Sequence, residues 1–335
     1  ECQLIKRHPN YAMDERILLD KIDYKKGTIN IEGKTYELKD KNFPTIDPKN
    51  PFELTEGENT LIQSLAFSFI NSPTLQKHTN YIYAKGGIYK IFNGNLLYHG
   101  CIPTKEDGSF DDVYIDGQYL SGKRYLKQVE DKVRKAFYCE TGSEEQLNAL
   151  DYCWYLWCGP KSPLFGKNKM TTFERYFIED KETHKENYNS YYYHIDKKDY
   201  CESILKEFDL DIHKSHIVNG HVPVKTHKGE SPIKGGGILL VIDGGLSKAY
   251  HKSTGIGGYT LISNSNAMII AEHRPFAEVV ESGFRISPKT TIVDRFVSRI
   301  TVGETDIGIE LNKRISDLEE LLNAYRNGIV KEKIN

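Results

Sequence analysis

Two of the eleven histidines stand where an imidazole can do chemistry. His99 lies in LLYHGCIP, directly after an apolar run and before Gly100, and His221 lies in IVNGHVPVK, after a second apolar run and Gly220. A histidine at the C-terminal end of a strand, beside a residue that tolerates unusual backbone angles, can present a ring nitrogen to a crevice. Neutral imidazole suits Mn, Fe or Zn. Either histidine alone reads as an ordinary strand-end residue; together, with matching glycine neighbours, they read as candidate metal ligands. Cys101, two residues beyond His99, reads as packing and not as a nucleophile. The six cysteines (Cys2, Cys101, Cys139, Cys153, Cys158 and Cys201) form no CxxC pair, which argues against a zinc ribbon and for small buried thiols in a reducing compartment. Gly235-Gly236-Gly237 leads into a strand pattern rather than a helix, so no helix-terminus phosphate cradle is expected there.

The bulk numbers bound what surrounds these residues. A chain of 335 residues buries one large core or two medium ones. With 39% apolar and 27% charged residues, and 22 tyrosines among its aromatics, it has a globular composition and not a disordered one. A formal charge of −2 with mixed signs gives no basic footprint for nucleic acid and no polybasic membrane signal. No apolar run approaches transmembrane length and no signal-peptide pattern opens the chain, so a soluble, cytoplasmic protein is expected. The chain opens at Glu1 without Met, as an excised part of a longer protein would.

Periodicity then supplies the elements that must position the site. MDERILLDKI predicts a short amphipathic helix, and TINIEGKTYEL from Thr28 predicts a hairpin turning at Glu32-Gly33. Thr55 and Glu58 have capping-box spacing ahead of a stripe of Leu61, Leu65 and Phe69 that ends at Pro73. YIYA, IYKIF and LLYHG read as strands, the last two separated by the strong turn signal Asn93-Gly94. Helices are expected around Lys123 to Cys139 and Ser143 to Trp157, a polar surface loop over His184 to His194, and a helix capped by Asp196 carrying Tyr200, Ile204 and Phe208. HIVNG, ILLVIDGG, YTLISNS and AMIIAEH have strand length. Leu311, Ile315, Leu318, Leu322 and Tyr325 recur at seam spacing in a final helix that stops at Gly328. Helices preceding a run of core strands point to a layered α/β (α+β in some schemes) architecture.

Several longer runs carry a resemblance. NGHVPVK (Asn219 to Lys225), GESPIK (Gly229 to Lys234), LLVIDGGLSKAY (Leu239 to Tyr250) and TGIGGYTLISNS (Thr254 to Ser265) resemble the C-terminal signature of class III fructose-1,6-bisphosphatases. So do NGNLLYHGCIP, WYLWCGPKSPLFGK and MTTFERYFIEDKETHKE (Met170 to Glu186). The likeness runs from about Leu4 to about Phe276. A more distant likeness, in the order YHGCIP, YLWCGP, NGHVP, ILLVIDGG, is to protein Ser/Thr phosphatases and diadenosine tetraphosphatases. The resemblance implies the C-terminal half of a four-layer α/β/β/α metallophosphatase sandwich of the calcineurin-like superfamily. It divides the chain into 1–80, continuing a missing N-terminal half; 81–280, the metallophosphatase part; and 281–335, a tail with the terminal helix.

The same resemblance implies that His99 and His221 are ligands of a dinuclear manganese site that acts on fructose 1,6-bisphosphate in gluconeogenesis, with AMP and phosphoenolpyruvate as effectors and a homo-oligomer as the assembly. It also shows what is missing. The Asp-x-His, GDxxDR and GNH[DE] turns that normally supply the bridging Asp, the other ligands, a phosphate-binding Arg and the leaving-group acid are not expected in this chain. Two metals roughly 3.5 to 4 Å apart clamp the phosphoryl oxygens and a bridging hydroxide, so two imidazoles do not suffice. For the substrate phosphates, Arg175 in TTFERYF sits about three residues beyond the matching position in the protein phosphatases, and its alternative is a surface helix Arg paired with Glu174 or Glu179. Lys225, Lys234 and Lys248 flank the signature turns and are the other phosphate candidates. The alternatives to a sugar bisphosphatase are a non-catalytic oligomerisation or regulatory fragment, or a related protein or dinucleotide phosphatase.

Overall fold

Two-residue turns organise the β-structure of the N-terminal part. The computed structural model describes residues 1–244, 258–273 and 288–331. Strand β1 (Ile22–Asp23) pairs antiparallel with β2 (Thr28–Ile31), which turns at Glu32-Gly33 into β3 (Lys34–Glu37). Strands β4 (Tyr89–Phe92) and β5 (Asn95–Tyr98) meet at Asn93-Gly94, and β6 (Val113–Ile115) and β7 (Gln118–Leu120) at Asp116-Gly117. All six turn residues have positive φ, the geometry that matches the twist of the flanking strands and favours Gly, Asn and Asp. The first two turns agree with expectation.

The chain divides into two compact units, residues 1–89 with 98–194, and residues 90–97 with 195–335. The first contains helices α1 (Cys2–Arg7), α2 (Glu56–Ile70), α3 (Pro73–Lys85), α4 (Gly122–Tyr138), α5 (Glu144–Cys158), α6 (Thr172–Phe177) and α7 (Tyr191–His194). The predicted Thr55–Glu58 capping box forms and starts α2. YIYA is not a strand: Ser72 caps α3, Pro73 occupies its first position, and the helix runs through YIYA to Lys85. MDERILLDKI is not one helix either. It folds as two single 3₁₀ turns, Asp14–Arg16 and Leu19–Lys21, leaving Met13, Ile17, Leu18 and Ile22 all buried. Leu18, Ile22, Ile29, Leu38 and Ile178 form one apolar cluster, with Phe43, Phe173 and Phe177 against it. Helices α4 and α5 pack Tyr125, Leu126 and Val129 with Ala149, Tyr152 and Leu156, all buried. Leu126, Val129 and Leu156 each contribute roughly 1.5–3 kcal/mol by leaving water.

The second unit is built on a five-stranded sheet. Helix α8 (Lys198–Glu207) precedes β8 (Ile217–Asn219), β9 (Ile233–Lys234) and β10 (Leu239–Val241), and the strand order is β4-β5-β8-β10-β9. Strands β5, β8 and β10 are parallel, with Leu97 opposite Val218 and Leu240 opposite Val218, and β9 is antiparallel to β10. The central strands β8 and β10 are buried throughout, and apolar but for Asn219, as parallel strands covered on both faces are. Helix α8 begins one residue later than expected, with Lys197 rather than Asp196 at its cap, and buries Tyr200, Cys201, Ile204 and Leu205. Gly235 lies against it: at φ +56, a Cβ on this residue would stand 2.4 Å from the Cys201 Sγ. Strands β11 (Gly258–Ser263), β12 (Ala267–His273) and β13 (Lys289–Arg295) form a separate antiparallel sheet. Helix α9 (Asp306–Arg326) closes the described chain. The mixed α/β class agrees with expectation. Among the described residues no helix is long and apolar enough to cross a membrane.

Candidate functional site

The parallel strands β5, β8 and β10 end on one edge of the sheet, the carboxyl edge where open α/β sheets receive ligands. His99 follows β5 by one residue, His221 follows β8 by two, and Asp243 follows β10 by two. His99 is counted in the first unit and His221 in the second, and each is described within its own.

Around His99 the backbone is tightly held. Tyr98 is buried and its hydroxyl lies 2.7 Å from that of Tyr191. Gly100 has the Pro163 carbonyl oxygen 2.3 Å from where a Cβ would stand, and the Cys101 amide donates to the same oxygen at 2.9 Å. Glycine is therefore required here by close approach of backbone. Burial pushes the Cys101 thiol up to about 12, so it carries no thiolate at neutral pH and is a packing residue, as its position suggests.

Around His221 the unusual backbone angle falls on the histidine itself. His221 has φ +69, uncommon for a residue with a Cβ. Its neighbours fix that conformation: the Val222 amide donates to Gly220 at 2.8 Å, Val224 to Asp243 at 3.0 Å, and Ile242 to Asn219 at 3.0 Å. The Val224 bond brings the segment after β8 onto the segment after β10, beside Asp243.

The phosphate candidates are placed as follows. Arg175, on α6, is exposed; its Nε donates to the Thr171 hydroxyl at 3.1 Å and its guanidinium to the His184 carbonyl at 3.0 Å, with the Glu186 carboxylate 3.5 Å away. Its carboxylate neighbour is thus Glu186, and not Glu174 or Glu179. Lys234 is nearly buried, its ammonium 3.1 Å from Glu230 and 3.3 Å from Asp196. Glu230 also accepts from the Lys225 backbone amide at 2.9 Å. Burial opposes ionisation of Glu230, but the Lys225 amide and the Lys234 ammonium outweigh it and hold the carboxyl below its usual range. Lys225 and Lys234 are thereby joined through one carboxylate. Lys248 lies outside the described residues.

Two features escaped sequence inspection. Glu174 is 1% exposed and accepts from Arg16 at 2.6 and 2.9 Å, while Arg16 also donates to the Met170 carbonyl at 2.8 Å. Partners 158 positions apart leave no local signal. Glu186 is the second: it accepts from Lys167 at 2.8 Å and from the amide and hydroxyl of Thr171 at 3.0 and 2.9 Å. Burial alone would raise its pKa, but these donors bring it down to about 2. Both carboxylates belong to MTTFERYFIEDKETHKE, so the most distinctive run of the chain is a knot of ion pairs around α6.

The expectation that the chain holds no Asp-x-His turn needs a correction. Asp211-Ile212-His213 has that spacing, but it forms an exposed turn in which the Asp211 carboxylate accepts the His213 amide at 2.8 Å. Among the described residues no group of three or more His, Cys, Asp or Glu side chains could hold a metal ion. The donor set described here does not fit a dinuclear centre by itself.

The profile of one family, Firmicute fructose-1,6-bisphosphatase, matches residues 1–327. The chain belongs to that family. Among its relatives, the class 3 fructose-1,6-bisphosphatase of Clostridium novyi (strain NT) is 51% identical over 333 residues, covering 98% of this chain and 50% of the relative. The class 3 fructose-1,6-bisphosphatases of Clostridium botulinum (strain Kyoto / Type A2) and Clostridium tetani (strain Massachusetts / E88) are 51% and 50% identical, covering 99% and 100% of this chain and 50% and 51% of theirs. The chain thus spans about half the length of the curated relatives it matches. No solved structure matches it. The matched residues 1–327 include the ion-pair knot at α6 and the strand ends bearing His99 and His221.

Proposed function

We propose that this chain is the C-terminal half of an enzyme that hydrolyses fructose 1,6-bisphosphate to fructose 6-phosphate and phosphate in the cytoplasm. The observation that carries the reading is the match of nearly the whole chain, at about half identity, to proteins named for that activity. The half-length coverage, with a donor set among the described residues too small for a dinuclear centre, favours an active site completed by the remainder of the longer protein.

In this reading His99 and His221 are this half's contribution to a manganese centre, held at strand ends so that each imidazole meets the metal without reorganisation. When bound, manganese supplies charge to the transferring phosphoryl group and an activated water. Arg175, Lys225, Lys234 and Lys248 are the candidates for holding the two substrate phosphates, and AMP and phosphoenolpyruvate are the candidate effectors. Because water is the nucleophile, no side chain of this half has to be activated, which suits the inert Cys101.

The test compares phosphate release from fructose 1,6-bisphosphate by the 335-residue chain and by a chain extended at its N-terminus to the length of the relatives, both with manganese. Turnover is expected from the extended chain alone, with His221→Asn lowering it by orders of magnitude. Robust turnover by the 335-residue chain after re-purification refutes the divided site. Faster turnover of a phosphopeptide or of diadenosine tetraphosphate by the extended chain refutes the sugar bisphosphate assignment.

A further inference from the structure

Lys225 and Lys234 differ in what their charges already hold. The Lys234 side chain is 9% exposed, and its ammonium stands between two carboxylates, 3.1 Å from Glu230 Oε1 and 3.3 Å from Asp196 Oδ1. Its backbone is fixed as well, opposite Leu239 in the β9–β10 pair. A cation enclosed in this way has little charge to offer an incoming phosphate, and turning it toward one would leave Glu230 without its counter-charge.

Lys225 is the reverse case. Its amide donates to Glu230 Oε2 at 2.9 Å, and its carbonyl accepts the amides of Lys228 and Glu230 at 2.9 and 3.3 Å. Val224, just before it, is buried and bonded to the Asp243 carbonyl at the end of β10. The backbone of Lys225 is thus pinned at the sheet edge where His221 emerges, four residues earlier. Its ammonium, however, has no ion pair and no hydrogen bond among the described residues. A cation whose backbone is ordered in advance binds an anion at a smaller entropic cost than one on a loose loop.

Resting on the reading of this chain as half of a sugar bisphosphatase, we propose that Lys225 binds a substrate phosphate and that Glu230 and Lys234 are positioning residues acting through it. Glu230 uses one carboxylate oxygen to hold the Lys225 amide and the other to meet Lys234. Lys234 in turn neutralises Glu230. The carboxylate that orders the turn therefore neither repels a phosphate nor draws the Lys225 ammonium back onto itself. Lysine suits this role as a point charge, without the bidentate geometry an arginine would impose.

The experiment is calorimetric titration of inorganic phosphate into the N-terminally extended chain with manganese, with turnover of fructose 1,6-bisphosphate measured alongside. Lys225→Met should weaken phosphate binding roughly tenfold or more, as loss of one charge-assisted contact does, and raise KM by a similar factor with kcat changed less. Lys225→Arg should recover most of both. Glu230→Ala and Lys234→Met should each weaken phosphate roughly threefold or more on their own, yet change nothing in a chain that already carries Lys225→Met. Glu230→Gln keeps an acceptor for the Lys225 amide and should stay closer to wild type than Glu230→Ala, which separates loss of the anchor from loss of the fold. Wild-type affinity in Lys225→Met overturns the proposal, as does an extended chain that binds no phosphate. Additive losses from Lys234→Met and Lys225→Met overturn the assignment of Lys234, and would put its ammonium on the phosphate itself. An extended chain that binds phosphate but does not hydrolyse the sugar bisphosphate refutes the reading of the enzyme, while the titrations still decide the role of Lys225.

Discussion

Breaking the Arg16–Glu174 pair from one side should be far worse than removing it entirely. Glu174 is 1% exposed and Arg16 11%, and two short charge-assisted hydrogen bonds join them. Arg16→Met leaves a carboxylate buried without its cation, which costs about 3–5 kcal/mol. The double variant Arg16→Met/Glu174→Met replaces both with apolar side chains of similar length, and the remaining loss is the hydrogen bond to the Met170 carbonyl, about 1 kcal/mol. Both tryptophans of the chain, Trp154 and Trp157, lie in the first unit and line a cavity of about 630 Å³ with Arg16, so their fluorescence reports this unit's unfolding. With a urea m-value of about 2 kcal/mol per M, the single variant should lower the midpoint by roughly 1.5–2.5 M and the double variant by about 0.5 M. A single variant within about 0.3 M of wild type would show that Glu174 reaches water. A double variant as unstable as the single would show that the pair is needed for packing geometry and not merely for charge balance.

Three further outcomes are expected. Glu186, held near pKa 2 against about 4.5 when unfolded, contributes stability that is fully present above about pH 5 and is lost as pH falls toward 2; Glu186→Gln should flatten that acid limb in urea titrations between those pH values. Gly235→Ala should lower the thermal midpoint through a clash with the Cys201 Sγ and a strained positive φ, together about 1–3 kcal/mol, and Cys201→Ala should recover part of it. In the complete enzyme Arg175→Lys should reduce kcat/KM by roughly tenfold or more through loss of bidentate phosphate contact, whereas a change under twofold returns Arg175 to its structural contacts with Thr171, His184 and Glu186.

What was legible from sequence follows from how far apart the partners lie. Glu32-Gly33, Asn93-Gly94 and the Thr55–Glu58 box are local devices whose chemistry fits within four residues, and each forms as expected. YIYA reads as a strand because Tyr and Ile favour strands, whereas the signal that makes it helical, Ser72 followed by Pro73, sits nine residues upstream. The helix expected over MDERILLDKI gave way to 3₁₀ turns because four apolar side chains and Arg16 all had to point inward, more than one helical stripe can present. Asp196 has the chemistry of a cap, yet its carboxylate lies 3.3 Å from Lys234 and the cap falls on Lys197. The pairing of Arg16 with Glu174, like the left-handed angle at His221 instead of Gly220, is decided by tertiary contacts that no window of sequence contains.

The five-stranded sheet sets the order in which this protein can assemble. Leu97 pairs with Val218, so about 120 residues must emerge from the ribosome between the edge hairpin and the strand that completes it. At about 5–20 residues per second, the β4–β5 hairpin waits on the order of ten seconds with one edge unpaired. During that interval the first unit, whose last residue is His194, has its whole sequence available and can fold. The apolar residues Leu96 and Leu97 are therefore the segment most in need of chaperone protection during synthesis, and truncation between His194 and Val218 should yield a product that folds in its first unit yet aggregates through that orphan hairpin.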